Sequence, residues 1–577
     1  MKLSATAGMW ASTGLIVALA MLAAASRGDG LSVDPAVLAA EARRVEVIER
    51  AAATAVAIFA GDAGGGSGVL ISPDGYALTN FHVVEPAGVA MRCGLADGRL
   101  YDAVLVGLDP TGDVALIKLL GRDDFPCATL ADSDAVEVGD WCFAAGNPFL
   151  LATDLVPSIS AGIVSGTHRY QFPAGTILEY TDCLQVDAAI NPGNSGGGLF
   201  DAAGRLIGIN GRASFEKRGR VNVGAGYAIS ANQLRNFLGP LRGGGLVDHA
   251  TLGATVSTAA DGSVVVADIL ESSDAWRRGL RYDDEVVALA GRPVRTVNAF
   301  KNVLGTLPAG WQVPLVYRRN GRRETILVRL ARVHAPAELA RLAAGGRPGG
   351  DEELPPEDHA APEPAARPLP PAVAERYEQR PGFANFFFNR RERDRVWRAM
   401  AADREAGQER SWEIAGQLEE GGEFRIELTD GDCVCDLPTG TSTLNASADL
   451  DAAAVPPGSG GMLAALAIWR RLLVEGPEKL GHTNYWGTAP RDPWAIDPAG
   501  GDLCDVLEVA AAGIEARVAV DDAGRLVGID LWTSPLAEPC EIRVTAPLAA
   551  DDRLPGRLEV SRGGEPFGTF LIESFNR

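Results

Sequence analysis

The residue that could do chemistry most directly is Ser195, which lies in the segment INPGNSGGGLF at residues 190–200. Glycines at 193, 196 and 197 let main chains approach closely and allow backbone conformations that other residues avoid. A loop that presents a serine hydroxyl together with backbone N–H donors can attack a carbonyl and stabilise the oxyanion that forms. An ordinary glycine-serine surface turn has the same composition, so the rest of the chain must decide between the two.

A serine hydroxyl is a weak nucleophile until a base takes its proton and a carboxylate orients that base. Of the six histidines, only His82 and His168 lie in the β-rich region that contains Ser195. His82 follows a predicted strand in ALTNFHVV, whereas His168 lies in a predicted loop, SGTHRYQF. A lone histidine is more often structural than catalytic, so His82 needs support from an acidic partner.

The candidate acids are Asp113, Asp109 and Asp187. Asp113 immediately precedes the apolar run VALIKL, so its carboxylate can lie at the mouth of a strand and hold an imidazole. Asp109 precedes a proline and is expected to be a turn residue, and Asp187 is expected to brace the loop of Ser195.

GNSGG also fits the G-x-S-x-G elbow of α/β-hydrolases, but that fold places its acid and histidine after the serine. The order His82, Asp113, Ser195 is instead that of double-barrel serine proteases.

Length and charge limit the class of protein. A chain of 577 residues should contain three or four domains. The formal net charge of −22 argues against general nucleic-acid binding, which needs a basic surface to neutralise phosphates. Hydrophobic residues make up 46% and charged residues 22%, which is typical of globular proteins.

Residues 1–26 are predicted to be a signal peptide or an N-terminal anchor. Lys2 precedes the apolar run GLIVALAMLAAA, which has the length of a signal-peptide core and is short for a membrane span. Small residues just before Arg27 offer a cleavage site. Both alternatives place the rest of the chain outside the cytoplasm.

The eight cysteines form two groups of four, one before residue 184 and one after residue 432. An exported chain permits disulfides. A Cys₄ zinc site usually shows two C-x₂-C pairs, and the second group has only C-V-C and two distant cysteines. We therefore expect disulfides or free thiols rather than zinc.

The pattern of strands and linkers predicts a mainly β protein in several parts. Short β-type runs broken by Gly, Pro, Asn and Asp fill residues 50–240 and indicate an all-β barrel or sandwich. Residues 246–332 alternate strands with two short helices. Residues 333–381 are rich in Pro, Ala and acidic residues and are predicted to be a linker. Residues 382–577 are predicted to be a mostly β domain, to which the sequence assigns no role.

Six motifs in residues 50–240 resemble, in order, those of the HtrA/Deg family of trypsin-like serine proteases: TNFHVV, DVALIKL, AAGNPF, SAGIVSG, DAAINPGNSGGGL and GAGYAIS. The resemblance implies two six-stranded β-barrels and a mechanism without a cofactor or metal. It implies His82 as the base, Asp113 as the orienting acid and Ser195 as the nucleophile. It further implies an oxyanion hole from the N–H groups of Gly193 and Ser195, and a shallow apolar S1 pocket near Ile209, Asn210 and Gly211. Phe81 and Gly198 depart from the family pattern, which puts loop geometry in question.

Residues 246–332 resemble the PDZ domain of the same family. The segment TLGA looks like a carboxylate-binding loop, which implies peptide binding at Leu252, Gly253 and Ala254. Peptide C-termini would add as a strand to the neighbouring sheet edge. A rigid spacer is the alternative.

The sequence thus predicts an exported endopeptidase for misfolded or unfolded proteins, in the periplasm or cell envelope, secreted or anchored at its N-terminus. The resemblance also allows a homotrimer. Two alternatives stay open: a non-proteolytic chaperone-like or PDZ scaffold protein, and a dedicated processing or signalling protease with one substrate.

Overall fold

The computed structural model describes residues 33–60, 65–147, 154–171, 179–215, 222–345, 368–402, 411–445, 457–496, 501–511, 513–534, 537–549 and 553–577. The chain divides into two compact units, residues 1–50 and 51–577. The described part of the first unit is mostly helix α1 (Pro35–Ala53), which continues three residues beyond the division. No helix of the described ranges is long and apolar enough to cross a membrane. The predicted signal or anchor at residues 1–26 lies outside the described residues.

The second unit begins with two closed six-stranded barrels. The first has the strand order β1-β2-β3-β6-β5-β4 and the second β10-β11-β12-β9-β8-β7. Strand β6 is buried along its whole length, as its mostly apolar sequence requires in a barrel core, and its one charged residue, Lys118, pairs with Asp74 at 3.1 Å. The strands are β1 (Ala55–Phe59), β2 (Gly65–Leu70), β3 (Tyr76–Thr79), β4 (Ala90–Leu95), β5 (Leu100–Asp109), β6 (Val114–Leu119), β7 (Trp141–Gly146), β8 (Ser158–Gln171), β9 (Tyr180–Val186), β10 (Gly198–Asp201), β11 (Leu206–Phe215) and β12 (Asn222–Ser230).

A smaller sheet with two helices follows. Its strand order is β14-β15-β16-β18-β19, with β17 paired to β16, so β14 is an edge strand. A separate short pair joins β13 to β20. The strands are β13 (Ala250–Thr251), β14 (Ala254–Thr258), β15 (Val264–Ile269), β16 (Glu285–Leu289), β17 (Arg292–Pro293), β18 (Gln312–Arg319), β19 (Arg322–Arg329) and β20 (Ala331–Arg332).

The last part of the chain is an eleven-stranded antiparallel sheet that packs around one apolar helix. The strand order is β24-β23-β22-β21-β31-β30-β29-β28-β27-β26-β25. The helix, Met462–Glu475, is buried on nearly all sides, as its sequence MLAALAIWRRLLVE requires. The strands are β21 (Trp412–Leu418), β22 (Glu423–Leu428), β23 (Asp432–Leu437), β24 (Gly440–Asn445), β25 (His482–Pro490), β26 (Leu503–Ala511), β27 (Ile514–Val520), β28 (Leu526–Trp532), β29 (Cys540–Pro547), β30 (Pro555–Arg562) and β31 (Glu565–Asn576).

The helices are α1, already given, α2 (Phe81–Val84), α3 (Ala231–Arg242), α4 (Asp274–Arg277), α5 (Val297–Gly305), α6 (Pro336–Ala343), α7 (Pro371–Ala374), α8 (Phe386–Met400) and α9 (Met462–Glu475). Single 3₁₀ turns cover Glu85–Ala87, Ser133–Ala135, Pro457–Ser459 and Pro493–Ala495. Helices α6 and α7 lie inside the range predicted to be a linker; residues 346–367 of that range lie outside the described residues.

Buried polar contacts tie the parts of the second unit together. Asn236 of α3 donates its amide to the Thr306 carbonyl at 2.9 Å, joining the second barrel's helix to the small sheet. The Trp311 indole donates to the Thr488 carbonyl at 2.7 Å, joining the small sheet to the last domain. Asn389 donates to the Gly243 carbonyl at 3.0 Å, which connects the last domain back to the end of α3.

The fold class predicted from sequence is confirmed: two six-stranded barrels precede a β/α module and a mostly β domain. The cysteine expectation left disulfides and free thiols open, and all eight cysteines are free. Seven are buried and Cys127 is exposed. Burial raises the pKa of the Cys142 thiol to about 12, which keeps it protonated at neutral pH.

Candidate active site

His82 is positioned by the one-turn helix α2 that directly follows β3. Phe81, a departure from the family pattern, is buried in the core of the first barrel. The Asn80 amide donates to the Asp113 carbonyl at 2.9 Å, which links the start of α2 to the turn before β6. The histidine ring is therefore held beside Asp113 by both main chain and packing.

Asp113 immediately precedes β6 and is fully buried, with a positive φ of 59°. Its Oδ2 is 2.8 Å from His82 Nδ1, and its Oδ1 accepts the His82 backbone N–H at 3.1 Å. The Tyr180 hydroxyl also donates to Oδ2. The carboxylate thus fixes both the position and the ring orientation of His82.

The charge of His82 depends on that carboxylate. Burial disfavours the imidazolium, but the negative charge of Asp113 and its hydrogen bond outweigh this, so the pKa of His82 is raised above 6.5. Glu85 adds a smaller contribution in the same direction. An imidazole whose Nδ1 is bound to a carboxylate presents Nε2 as the proton acceptor.

Ser195 lies in the turn between β9 and β10 of the second barrel. Its carbonyl accepts the Ser67 N–H at 2.8 Å, which connects this turn to β2 of the first barrel. Its hydroxyl donates to the Gly211 carbonyl at 3.3 Å. Among the described residues no hydrogen bond joins this hydroxyl to His82, and such bonds often form only in the substrate complex.

Two N–H groups of the same turn, predicted to form an oxyanion hole, have no protein acceptor among the described residues. These are the N–H groups of Gly193 and Ser195. The Gly193 carbonyl accepts from the Ser67 hydroxyl at 2.6 Å, and that hydroxyl accepts the Asn147 N–H at 2.9 Å. Ser67 therefore fixes the peptide unit that follows Gly193.

Gly196 explains part of the glycine content around Ser195. It has a φ of +82°, and a Cβ there would lie 2.2 Å from the Ser67 carbonyl oxygen and 2.3 Å from Thr79 Oγ1. No larger residue fits where the two barrels approach this closely. The composition of the loop is thus required by the contact between the barrels.

The other histidine and aspartates that the sequence offered as candidates form contacts outside the triad. The Asp187 carboxylate accepts the Ile163 N–H at 2.6 Å and braces the second barrel. His168 Nδ1 is 2.8 Å from Asp182, at the contact with the small module. Asp109, expected to be only a turn residue, also forms a buried pair with His249, at 2.8 Å.

Two side chains that contact the candidate site were not predicted from the sequence: Ser67 and Tyr180. Ser67 has a weak local signal, because a fully buried hydroxyl between glycines, as in GGSGVL, is unusual in a mostly buried strand. Tyr180 has none, since its contact with Asp113 spans 67 residues.

The residues predicted to form S1 lie on β11. The Gly211 carbonyl accepts a hydrogen bond from the Ser195 hydroxyl. Ile209 and Asn210 are fully buried, and the Asn210 main chain pairs with Gly196 and Gly197. Their role in substrate binding stays a prediction.

The segment predicted to bind carboxylates lies beside the edge strand β14. Gly253 has a φ of +70°; its N–H donates to Thr251 Oγ1 at 3.1 Å, and its carbonyl accepts from Leu270. The Leu252 N–H has no protein acceptor in the described part of the chain. A peptide carboxylate could therefore bind there, although this too stays a prediction.

One cluster has the spacing of a metal site: Asp134, His168 and Asp182. The Arg292 guanidinium lies 3.3 Å from Asp134 and 2.9 Å from Asp182, so a cation is already present. The cluster is better explained as an ionic contact between the second barrel and the small module.

Comparison with known proteins assigns the first two parts. The profile of the trypsin-like peptidase domain matches residues 66–209, a range that includes His82, Asp113 and Ser195. The PDZ domain profile matches residues 250–330. The chain thus contains a trypsin-like peptidase domain followed by a PDZ domain, and over these parts it is similar to DegP/HtrA serine proteases.

Two curated relatives are named periplasmic serine endoproteases. A probable DegP-like protein of Chlamydia muridarum is 34% identical over 296 residues, covering 49% of this chain and 57% of the relative. DegP of Escherichia coli K12 is 36% identical over 277 residues, covering 46% and 56%. This chain therefore spans little more than half the length of the curated relatives it matches.

A solved structure of an HtrA-type protease, AlgW with tripeptide, is 32% identical and has a TM-score of 0.43. The match covers 51% of this chain and 98% of that chain.

Proposed function

We propose that the chain is an exported serine endopeptidase that cleaves unfolded or misfolded proteins, with His82, Asp113 and Ser195 as its triad. The observation that carries the proposal is the buried Asp113 carboxylate, 2.8 Å from His82 Nδ1. The serine turn adds two N–H donors that have no acceptor in the described ranges. The relatives named periplasmic endoproteases support the activity and a periplasmic or cell-envelope location. A homotrimer and an N-terminal anchor also remain proposals.

The proposed reaction proceeds in two halves. His82 Nε2 takes the Ser195 proton while Oγ attacks the peptide carbonyl, and Asp113 stabilises the imidazolium. The Gly193 and Ser195 N–H groups stabilise the oxyanion. His82 then protonates the leaving amine, and a water activated by the same ring hydrolyses the acyl-enzyme.

The test is digestion of casein by the full chain. We expect Ser195→Ala to lower kcat on the order of 10⁶-fold, and Ser195→Ala with His82→Ala to cost little more, because the two groups act as a unit. Ser263→Ala, an exposed hydroxyl in a hairpin turn, is the matched control and should be fully active. Binding of unfolded protein without cleavage by wild type would instead favour the chaperone-like alternative. Cleavage of one protein but not casein would favour a dedicated processing protease.

The PDZ domain is proposed to bind peptide C-termini at Leu252, Gly253 and Ala254, next to the edge of β14. Calorimetry on the Ser195→Ala chain with matched acid and amide peptides tests this. One lost charge-assisted hydrogen bond, worth about 1.5–3 kcal/mol, predicts a roughly tenfold to hundredfold weaker affinity for the amide. Equal affinities would favour the rigid spacer.

A further inference from the structure

Tyr180 is a buried tyrosine at the centre of the candidate active site. It is the first residue of β9 and is only 3% exposed. Its hydroxyl donates to Asp113 Oδ2, the oxygen that also faces His82 Nδ1. Asp113 therefore accepts from a side chain of the second barrel as well as from His82.

The ring of Tyr180 also touches the strand that carries the Ser195 acceptor. A Cβ on Gly211 would lie 2.3 Å from Tyr180 Cε1 and 2.9 Å from its hydroxyl oxygen. The Gly211 carbonyl accepts from the Ser195 hydroxyl. Tyr180 thus contacts both Asp113 and Gly211, the residue whose carbonyl accepts from the Ser195 hydroxyl.

The residues after Tyr180 are held by the PDZ domain. A Cβ on Gly305 of α5 would lie 2.3 Å from Thr181, so these elements are in close contact. The Asp182 N–H donates to Asn302 Oδ1 at 3.0 Å, and its carboxylate pairs with Arg292. The start of β9 is consequently fixed on both sides, which gives the Tyr180 hydroxyl a defined position.

We infer that Tyr180 is a positioning residue, whose hydroxyl holds the Asp113 carboxylate in line with His82. The inference rests on the proposed function for its kinetic part only. A carboxylate buried without water needs several donors to keep one orientation. Of the donors to the Asp113 carboxylate in the described ranges, the Tyr180 hydroxyl is the one that lies outside His82 and helix α2.

The hydroxyl also affects the charge of the pair. By donating to Asp113 it withdraws part of the negative charge that would otherwise favour the His82 imidazolium. Glu85 is the other acidic group that acts on this ring. Tyr180→Phe should therefore raise the pKa of His82. A general loosening of the fold would weaken both the burial that lowers this pKa and the attraction of Asp113 that raises it, so the pKa would move back down toward 6.5.

The first experiment follows the His82 ring by NMR in the full chain with Ser195→Ala, with and without Tyr180→Phe. We expect the His82 pKa to rise by about half a unit to one unit in Tyr180→Phe, with a moved Nδ1–H resonance. The control is Tyr76→Phe: Tyr76 is as buried, and its hydroxyl has no partner among the described residues. A change below about 0.2 units, or a fall, would overturn the inference.

The second experiment measures peptide hydrolysis against pH with Ser195 intact. Tyr180→Phe should lower kcat about tenfold with little change in KM, and should move the acidic limb of the profile to higher pH. Wild-type rates in Tyr180→Phe would overturn the inference while leaving the proposed function standing. An inactive wild type would refute the proposed function instead, and the NMR arm would still test Tyr180.

Discussion

The buried pair of Asp109 and His249 offers a perturbation with a defined pH dependence. The two side chains are 2.8 Å apart, with exposures of 0% and 5%. Asp109 also accepts the Gly112 N–H at 2.8 Å, so it braces the turn that ends at Asp113. Asp109→Asn keeps the shape but removes the charge.

The expected loss of stability depends on whether His249 is charged. Burial lowers the pKa of His249, but Asp109, with smaller contributions from Asp248 and Glu179, raises it above 6.5 overall. A raised folded-state pKa adds stability that is fully present below pH 6.5 and is lost as the pH rises through the folded pKa. Charge-assisted hydrogen bonds contribute about 1.5–3 kcal/mol and neutral ones about 1 kcal/mol. Asp109→Asn should therefore cost about 2 kcal/mol at pH 6 and about 1 kcal/mol or less at pH 9.

The assay is equilibrium unfolding in urea at both pH values, followed by tryptophan fluorescence. Asp123→Asn is the control, because Asp123 is exposed and has no partner in the described ranges. A cost that is equal at pH 6 and pH 9, or no larger than that of the control, would refute the assignment of charge to this pair.

Substitutions at three further positions test the surroundings of the site. Ser67→Ala should lower kcat about tenfold to hundredfold at unchanged KM in peptide hydrolysis, because the Gly193 carbonyl loses its donor; an unchanged kcat would contradict this. Arg292→Ala should cost about 1–3 kcal/mol in thermal unfolding, since Asp182 and Asp134 lose a shared hydrogen-bonded cation, and Arg292→Lys should recover part of this loss; equal melting temperatures of wild type, Arg292→Ala and Arg292→Lys would argue against it. Gly196→Ala should abolish fluorophosphonate labelling at the active-site serine, because its Cβ meets Ser67 O at 2.2 Å; wild-type labelling would show that the loop adapts.

Local signals were enough to select the candidate triad. His82 and Asp113 each border a strand, and Ser195 is surrounded by glycines, so residue type and spacing indicated their chemistry. Short strands and frequent turn residues indicated an all-β barrel or sandwich, and the resemblance to the HtrA/Deg family implied two six-stranded barrels, which the topology confirms.

Contacts between distant segments were not predictable in the same way. Asp109 was expected to be a turn residue because a proline follows it, and nothing local announces a partner 140 residues away. In the last domain, β21 pairs with β31, about 150 residues along the chain. Such pairing depends on which faces bury apolar side chains together, and a strand pattern alone leaves that choice open.

Among the non-glycine residues with positive φ, Asp113 lies in the candidate active site, and His168 and Asp182 lie where the second barrel contacts the PDZ domain. Asp113 has φ 59°, and His168 and Asp182 have φ 52° and 50°. Each such conformation costs roughly 1–3 kcal/mol and persists only when its surroundings fix it. Asn302 of the PDZ domain fixes the last two, because its amide donates to the His168 carbonyl at 2.7 Å and accepts the Asp182 N–H at 3.0 Å. The irregular pairing of β8 with β9 is therefore stabilised from outside the second barrel, so the PDZ domain contributes to the structure of the strand that carries Tyr180.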